Sequence, residues 1–201
     1  MTIEIESGAV DVTKPCVLFN SIANVSNITA SSETALGPAT NCVGEQTFDF
    51  WTGETTNSFI TVDAGSAVPV DCVAIASHDL FEQGSRIEVR SSTDDITYTV
   101  RGAIPSTPDN SSLMIIFPEV TARYWRVTVV DGPASLGVVK IGKRLVFPTG
   151  LLHGYTPANF GDDIQVQDGV TMGGHFAGAT ITSRGAKTSF SLAAMTRDFI
   201  E

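Results

Sequence analysis

The sequence predicts an all-β protein, a sandwich or barrel of short strands. Charged residues make up only 17% of the chain, against about 25% in an average soluble domain. Turn formers are frequent, with 18 Gly and 9 Pro. Short alternating or apolar runs recur between turn clusters, with no helical period between them. At 201 residues the chain can bury roughly 70% of its unfolded surface, enough for a real core.

The elements follow in order. Residues 16–19 form the first strand signal. Residues 20–56 are rich in Ser, Thr, Asn and Gly and read as a long, mostly irregular insertion with about one turn of helix; such loops are usually functional or covered by a partner. Phe59-Ile60-Thr61-Val62 alternates and stops at Asp63-Ala64-Gly65. Residues 70–77 are almost continuously apolar, as in a strand buried on both faces. Arg86-Ile87-Glu88-Val89-Arg90 alternates, placing Ile87 and Val89 on one face. Residues 98–100, 113–117, 125–130 and 138–141 continue the series, separated by turn clusters at 94–95, 105–110 and 131–133. This gives about eight strands without intervening helices, the pattern of a β-sandwich or barrel.

After Pro148 the chain becomes Gly-rich. Residues 164–167 and 178–182 read as a hairpin, and 192–200 as a short helix with Ser191 as cap and Leu192, Met195 and Phe199 on one face. The expected organisation is a sandwich over 1–147, interrupted at 20–56, and an extension over 148–201. That extension has too few core residues to stand alone and is expected to pack on the sandwich or on neighbouring subunits.

Twelve Lys+Arg stand against 22 Asp+Glu, a net charge of −10. This disfavours nucleic acid and anionic membrane surfaces as partners. No apolar run approaches the roughly 20 residues that span a bilayer, so membrane insertion is not expected. The start, Met1-Thr2-Ile3-Glu4-Ile5-Glu6, lacks the basic region of a signal peptide, and production in a cytoplasm is expected. Cys16, Cys42 and Cys72 are odd in number and show no CxxC spacing, which suits reduced core thiols.

Chemistry is sparse. There is no Gly-x-Ser-x-Gly, no His-Glu-x-x-His and no phosphate-cradling Gly loop, so an enzyme is not expected. His78-Asp79 ends a buried strand and precedes Leu80-Phe81, which places these polar groups near a rim. A glycan site needs planar hydrogen-bonding groups beside an aromatic platform, and Trp51, His78, Asp79, Phe81 and Arg86 are the candidates. The competing reading has His78 and Asp79 satisfying loop amides. Asp162, Asp163 and Asp168 could gather calcium, which takes six to eight oxygens; a solvated acidic turn is the alternative. No other cofactor is expected. Tyr124-Trp125-Arg126 puts Trp125 on the face opposite its neighbours, with either face open as the core side.

Taken together, Trp51, then Ser58-Phe59-Ile60-Thr61-Val62-Asp63-Ala64-Gly65, then Ser91-Ser92-Thr93-Asp94-Asp95-Ile96-Thr97-Tyr98, then Ala122-Arg123-Tyr124-Trp125-Arg126-Val127 resemble the discoidin, or coagulation-factor C-type, branch of the galactose-binding-like jelly rolls, over residues 15–147. Ala64 stands where that pattern has Leu, and Asp95 where it has a turn Gly. The cysteine pair that clamps many extracellular members is absent. The resemblance implies a galactose-binding-like jelly-roll β-sandwich, a core position for Trp51, and a calcium near the early loop that holds Glu45 and Asp49.

Such a sandwich, followed by Ile141-Gly142-Lys143-Arg144-Leu145 and a Gly-rich tail, is also similar to virion proteins of tailed bacteriophages. That likeness implies a non-enzymatic structural protein of a distal tail, tail tip or baseplate. It would reside in the virion as a homo-oligomer, with other tail or baseplate proteins as partners. The alternative is a carbohydrate-binding module that attaches to a host cell-surface glycan.

Overall fold

The computed structural model describes residues 2–6, 14–149, 162–170 and 172–186. The chain forms two units, one of residues 1–12 and 16–146, the other of 13–15 and 147–201. The first is an all-β sandwich, as the strand spacing predicts. Its strands are β1 (Thr2–Ile5), β2 (Cys16–Val17), β3 (Ile28–Ala30), β4 (Trp51–Thr52), β5 (Phe59–His78), β6 (Arg86–Ser92), β7 (Thr99–Ile104), β8 (Leu113–Val130), β9 (Ser135–Gly142) and β10 (Leu145–Val146). One α-helical turn, α1 (Leu80–Gln83), joins β5 to β6.

β5 and β8 are each long enough to serve both layers. The start of β5 pairs with the end of β8, Phe59 opposite Thr128 through Asp63 opposite Tyr124. After register shifts between Asp63 and Val68 and between Val70 and Cys72, its second half pairs with the start of β8, down to Ile75 opposite Leu113. The corner is made by Gly65, whose φ of +75° suits a residue without a side chain, and whose N–H donates to Asp63 Oδ1 at 2.8 Å. β3, β6 and β7 extend the ladder on the side of the first half of β5. β9, β4 and the parallel strand β1 extend it on the side of the second half.

The core lies between these layers. Alternation holds where the sequence shows it: Ile60 and Val62, and Ile87 and Val89, are fully buried. The apolar run of 70–77 is explained by burial on both faces. Val73 and Ile75 enter the main core, whereas Cys72 packs with Met114, Ile116 and Leu18 in a smaller cluster. Trp125 faces the core, with its ring 6.0 Å from that of Phe117 and its Nε1–H donated to the Ala122 carbonyl at 3.1 Å. On the opposite face, the Arg126 guanidinium lies between the rings of Phe59 and Tyr98, at 3.8 and 3.7 Å. The three cysteines are free, and burial pushes the Cys42 and Cys72 thiols up to about 12.

Residues 20–56 are mostly irregular with one helical turn, as the sequence predicts, yet they are tied into the sandwich. They hold β3, a 3₁₀ turn at Ala39–Val43 and β4, and bury Ala23, Ile28, Ala39, Cys42 and Trp51 in the core. Their order comes from side chains bonding to backbone, such as Asn27 Nδ2 to the Ile22 carbonyl at 2.9 Å and Asn41 Nδ2 to the Phe50 carbonyl at 3.0 Å. Such bonds leave no hydrophobic period to read.

In the second unit, β11 (Asp162–Val170) pairs antiparallel with β12 (Phe176–Ala186). Val166, Met172, Phe176 and Ile181 are exposed. The helix expected at 192–200 lies outside the described residues.

Candidate functional site

The site is built where β5 ends. Ser77 takes a φ of +58°, left-handed for a residue with a side chain, and its Oγ donates to the Thr47 carbonyl at 2.9 Å. This kink sits opposite Gly137, where a Cβ would come within 2.9 Å of both the Cβ and the carbonyl oxygen of Ser77. His78 follows, 5% exposed. Its Nε2 lies 2.8 Å from the Ser111 carbonyl, which only accepts, so Nε2 carries the proton. Nδ1 is then an acceptor, and it is buried without a partner among the described residues. Burial holds the His78 pKa below the ordinary 6.5, and the ring is neutral at neutral pH.

Asp79 opens the helical turn. Its Oδ1 accepts the Ser135 N–H at 2.7 Å, which fixes the start of β9 against α1. Leu80 is fully buried and anchors the turn, which directs Phe81 and Glu82 outward. Gly84, at φ +63°, ends the turn in a left-handed cap. Across the rim, Asn110 Oδ1 accepts the Phe81 N–H at 3.0 Å.

These groups surround a recess of about 340 Å³. Phe50 and Thr52 form one side, Ser77, His78, Asp79 and Glu82 another, and Asn110 and Ser135 complete it. Thr52 Oγ1 and Ser135 Oγ lie 3.1 Å apart. Phe81 stands on the same turn, 54% exposed, and Phe48, in the segment leading to Phe50, is 74% exposed. A recess of about 400 Å³ at the other end of the sandwich, lined by Phe19, Pro69, Lys143 and Arg144 among others, is larger but mainly apolar. Its cations are engaged, Lys143 with Glu119 at 2.7 Å and Arg144 with the buried Asp71 at 3.2 Å. Hydrogen-bonding groups without partners among the described residues set the smaller recess apart.

Of the sequence candidates, the structure brings His78 and Asp79 together in this recess and sets Phe81 beside it. As a platform candidate Trp51 is corrected to the core position that the resemblance implies: it is fully buried and donates Nε1–H to the Ser32 carbonyl at 3.0 Å. Arg86 does not line the recess; its Nε is 2.6 Å from Asp131 Oδ2. The aromatic surface comes instead from Phe50 and Phe81. Phe50, Thr52, Ser77, Glu82, Asn110 and Ser135 were not anticipated. Only Glu82, one helical turn from Asp79, had a local signal. Among the described residues no three His, Cys, Asp or Glu side chains converge as a metal site.

The comparisons agree with this architecture. The fold is similar to a fucose binding module from Streptococcus pneumoniae, at 22% identity and a TM-score of 0.53, over 61% of this chain and 94% of that one. It is similar to the CBM32 of AlyQ in complex with 4,5-unsaturated mannuronic acid, at 23% identity and a TM-score of 0.51, over 61% and 95%. It is also similar to chitosan-binding module 1 of a chitosanase/glucanase from Paenibacillus sp. IK-5, at 21% identity and a TM-score of 0.51, over 61% and 98%. No curated protein matches the chain. The F5/8 type C domain profile matches residues 27–140, more than half of the sequence and all of the strands that frame the rim from β3 to most of β9, and the chain belongs to that family.

Proposed function

We propose that this protein is a non-catalytic glycan-binding module that holds its ligand at the rim recess. The observation that carries the reading is the recess itself: hydroxyl, amide and carboxylate groups gathered beside an exposed aromatic ring. Sugars offer alternating polar edges and apolar C–H faces, which such a site matches. The three solved neighbours are each named for a sugar they bind, which supports the same reading.

A glycan array probed with the full chain, followed by calorimetry on any hit, tests it. Phe81→Ala should weaken binding roughly tenfold, about 1–1.5 kcal/mol of lost stacking, with an unchanged urea midpoint. A blank array for the intact chain would remove the proposal.

A second reading, a structural component of a bacteriophage tail or baseplate, is favoured by one observation. The β11–β12 hairpin exposes Val166, Met172, Phe176 and Ile181, and a lone two-stranded hairpin is at best marginally stable in water. Assembly with tail proteins or with further copies would cover it, and the two roles are compatible in one virion protein that also contacts a cell surface.

A further inference from the structure

The charge and hydrogen-bonding capacity of the recess reach further than its shape. Resting on the glycan reading, we infer that the rim selects sugars bearing a free amino group and rejects acidic ones. No Lys or Arg lines the recess, whereas Asp79 and Glu82 both do. Asp79 is partly used by the Ser135 amide. The exposed Glu82 carboxylate has no hydrogen bond or ion pair among the described residues. A third carboxylate, Asp109, precedes the lining residue Asn110 and lies close enough to His78 to act on it electrostatically.

The second observation is independent of these charges. His78 forms part of the wall at 5% exposure, and its unpartnered Nδ1 is an acceptor. Its one N–H is spent on the Ser111 carbonyl, so His78 adds no donor to the wall. The Ser77 hydroxyl is spent on the Thr47 carbonyl, Thr52 and Ser135 share one hydrogen bond and so keep one O–H between them, and the side-chain N–H group of the wall without a partner among the described residues is the Asn110 amide. With two carboxylates beside them, the wall carries more acceptors than donors. An ammonium is all donor and positively charged; a uronate carboxylate is all acceptor and negatively charged. Placing the latter against Asp79 and Glu82 puts like charges together, a cost that rejects the wrong ligand. The fold does not decide the matter, since its neighbours include a chitosan-binding module and one holding a mannuronic acid. The side chains lining this rim decide it.

The test titrates the full chain with three probes at about pH 6, where a free amine is charged: a glucosamine oligosaccharide, its fully N-acetylated counterpart and an oligogalacturonate. The glucosamine oligomer should bind best and the galacturonate not at all. Glu82→Gln should weaken glucosamine binding roughly threefold to fivefold, the scale of one exposed ion pair, and lower the preference for the glucosamine oligomer over the acetylated probe. Raising the salt concentration should weaken the charged probe selectively. Galacturonate binding as well as glucosamine, or equal binding of the charged and acetylated probes with no effect of E82Q, would overturn the inference and leave the glycan reading standing. No binding of these probes together with a blank array would remove both.

Discussion

His78 gives its only proton to the Ser111 carbonyl and keeps a bare, buried Nδ1. Charging the ring would place a cation where desolvation opposes it, which is why its pKa lies below 6.5. The unfolded chain therefore binds a proton at higher pH than the folded one. The contribution of His78 is fully present above about pH 6.5 and is lost progressively as pH falls from there through the lower folded value. Urea midpoints at about pH 7.5 and pH 5 should show this loss, and His78→Gln should flatten it. An unchanged slope in the variant would assign the loss to other groups. Asp63 and Asp94 act in a separate, more acidic window. The Arg123 guanidinium beside Asp63, and the Thr97 and Ile96 amides on Asp94, hold both carboxyls at about 2. Their stabilisation is present above about pH 4 and disappears as pH falls through 2, so the two transitions are separable. Asp95 shows how a departure from the family pattern is absorbed. It stands where the pattern has a turn Gly and adopts a φ of +60°, a conformation Asp tolerates better than most residues.

At the scale of elements, the junction of β5 and β9 sets the rim. Ser77 bends out of the strand with its carbonyl and Cβ against Gly137, and a methyl group there would meet backbone oxygen at 2.9 Å. Gly137→Ala should cost about 1–3 kcal/mol through overpacking. It should also weaken any glycan that binds the rim, because the kink positions His78 and Asp79. A variant with normal stability and normal affinity would show that the kink is not fixed by this contact. The same region shows what was legible in the sequence. Strict alternation located the inward faces at Ile60, Val62, Ile87 and Val89, because a period of two depends only on local order. His78-Asp79-Leu80-Phe81 was readable as a rim for the same reason: a buried run stops and polar groups follow. The continuity of β5 through Gly65, and of β8 through the corner opposite it, was not readable, since a bulged corner and a turn carry the same residues. Phe50, Asn110 and Ser135 reach the recess only through long-range pairing. Trp51 was open to a platform reading by its chemistry and to a core reading by the resemblance; the core position holds because β4 pairs with β9, Trp51 opposite Leu136.

At the scale of the whole molecule, a well-buried sandwich and a thinly packed hairpin share one chain. The sandwich has a continuous core, and its ends are secured by β2 on β10 and by the buried Arg144–Asp71 pair. Among the described residues, the members of its core cluster all precede 148. The hairpin unit has the opposite character: long strands, apolar side chains in solvent, and Gly at the points where it turns. A hairpin of this kind gains its stability by covering those side chains. A chain ending at Pro148 should therefore keep the urea midpoint of the sandwich and whatever glycan affinity the full chain has. Light scattering on both forms then separates the two proposed roles. A larger species formed by the full chain and lost on truncation would place self-assembly in the hairpin unit and support a structural role beside recognition. Monomers in both cases, with sugar binding retained, would leave recognition at the rim as the function and exclude homotypic assembly. A truncated chain that fails to fold would show that the two units stabilise one another, contrary to the independence expected from the core of the sandwich.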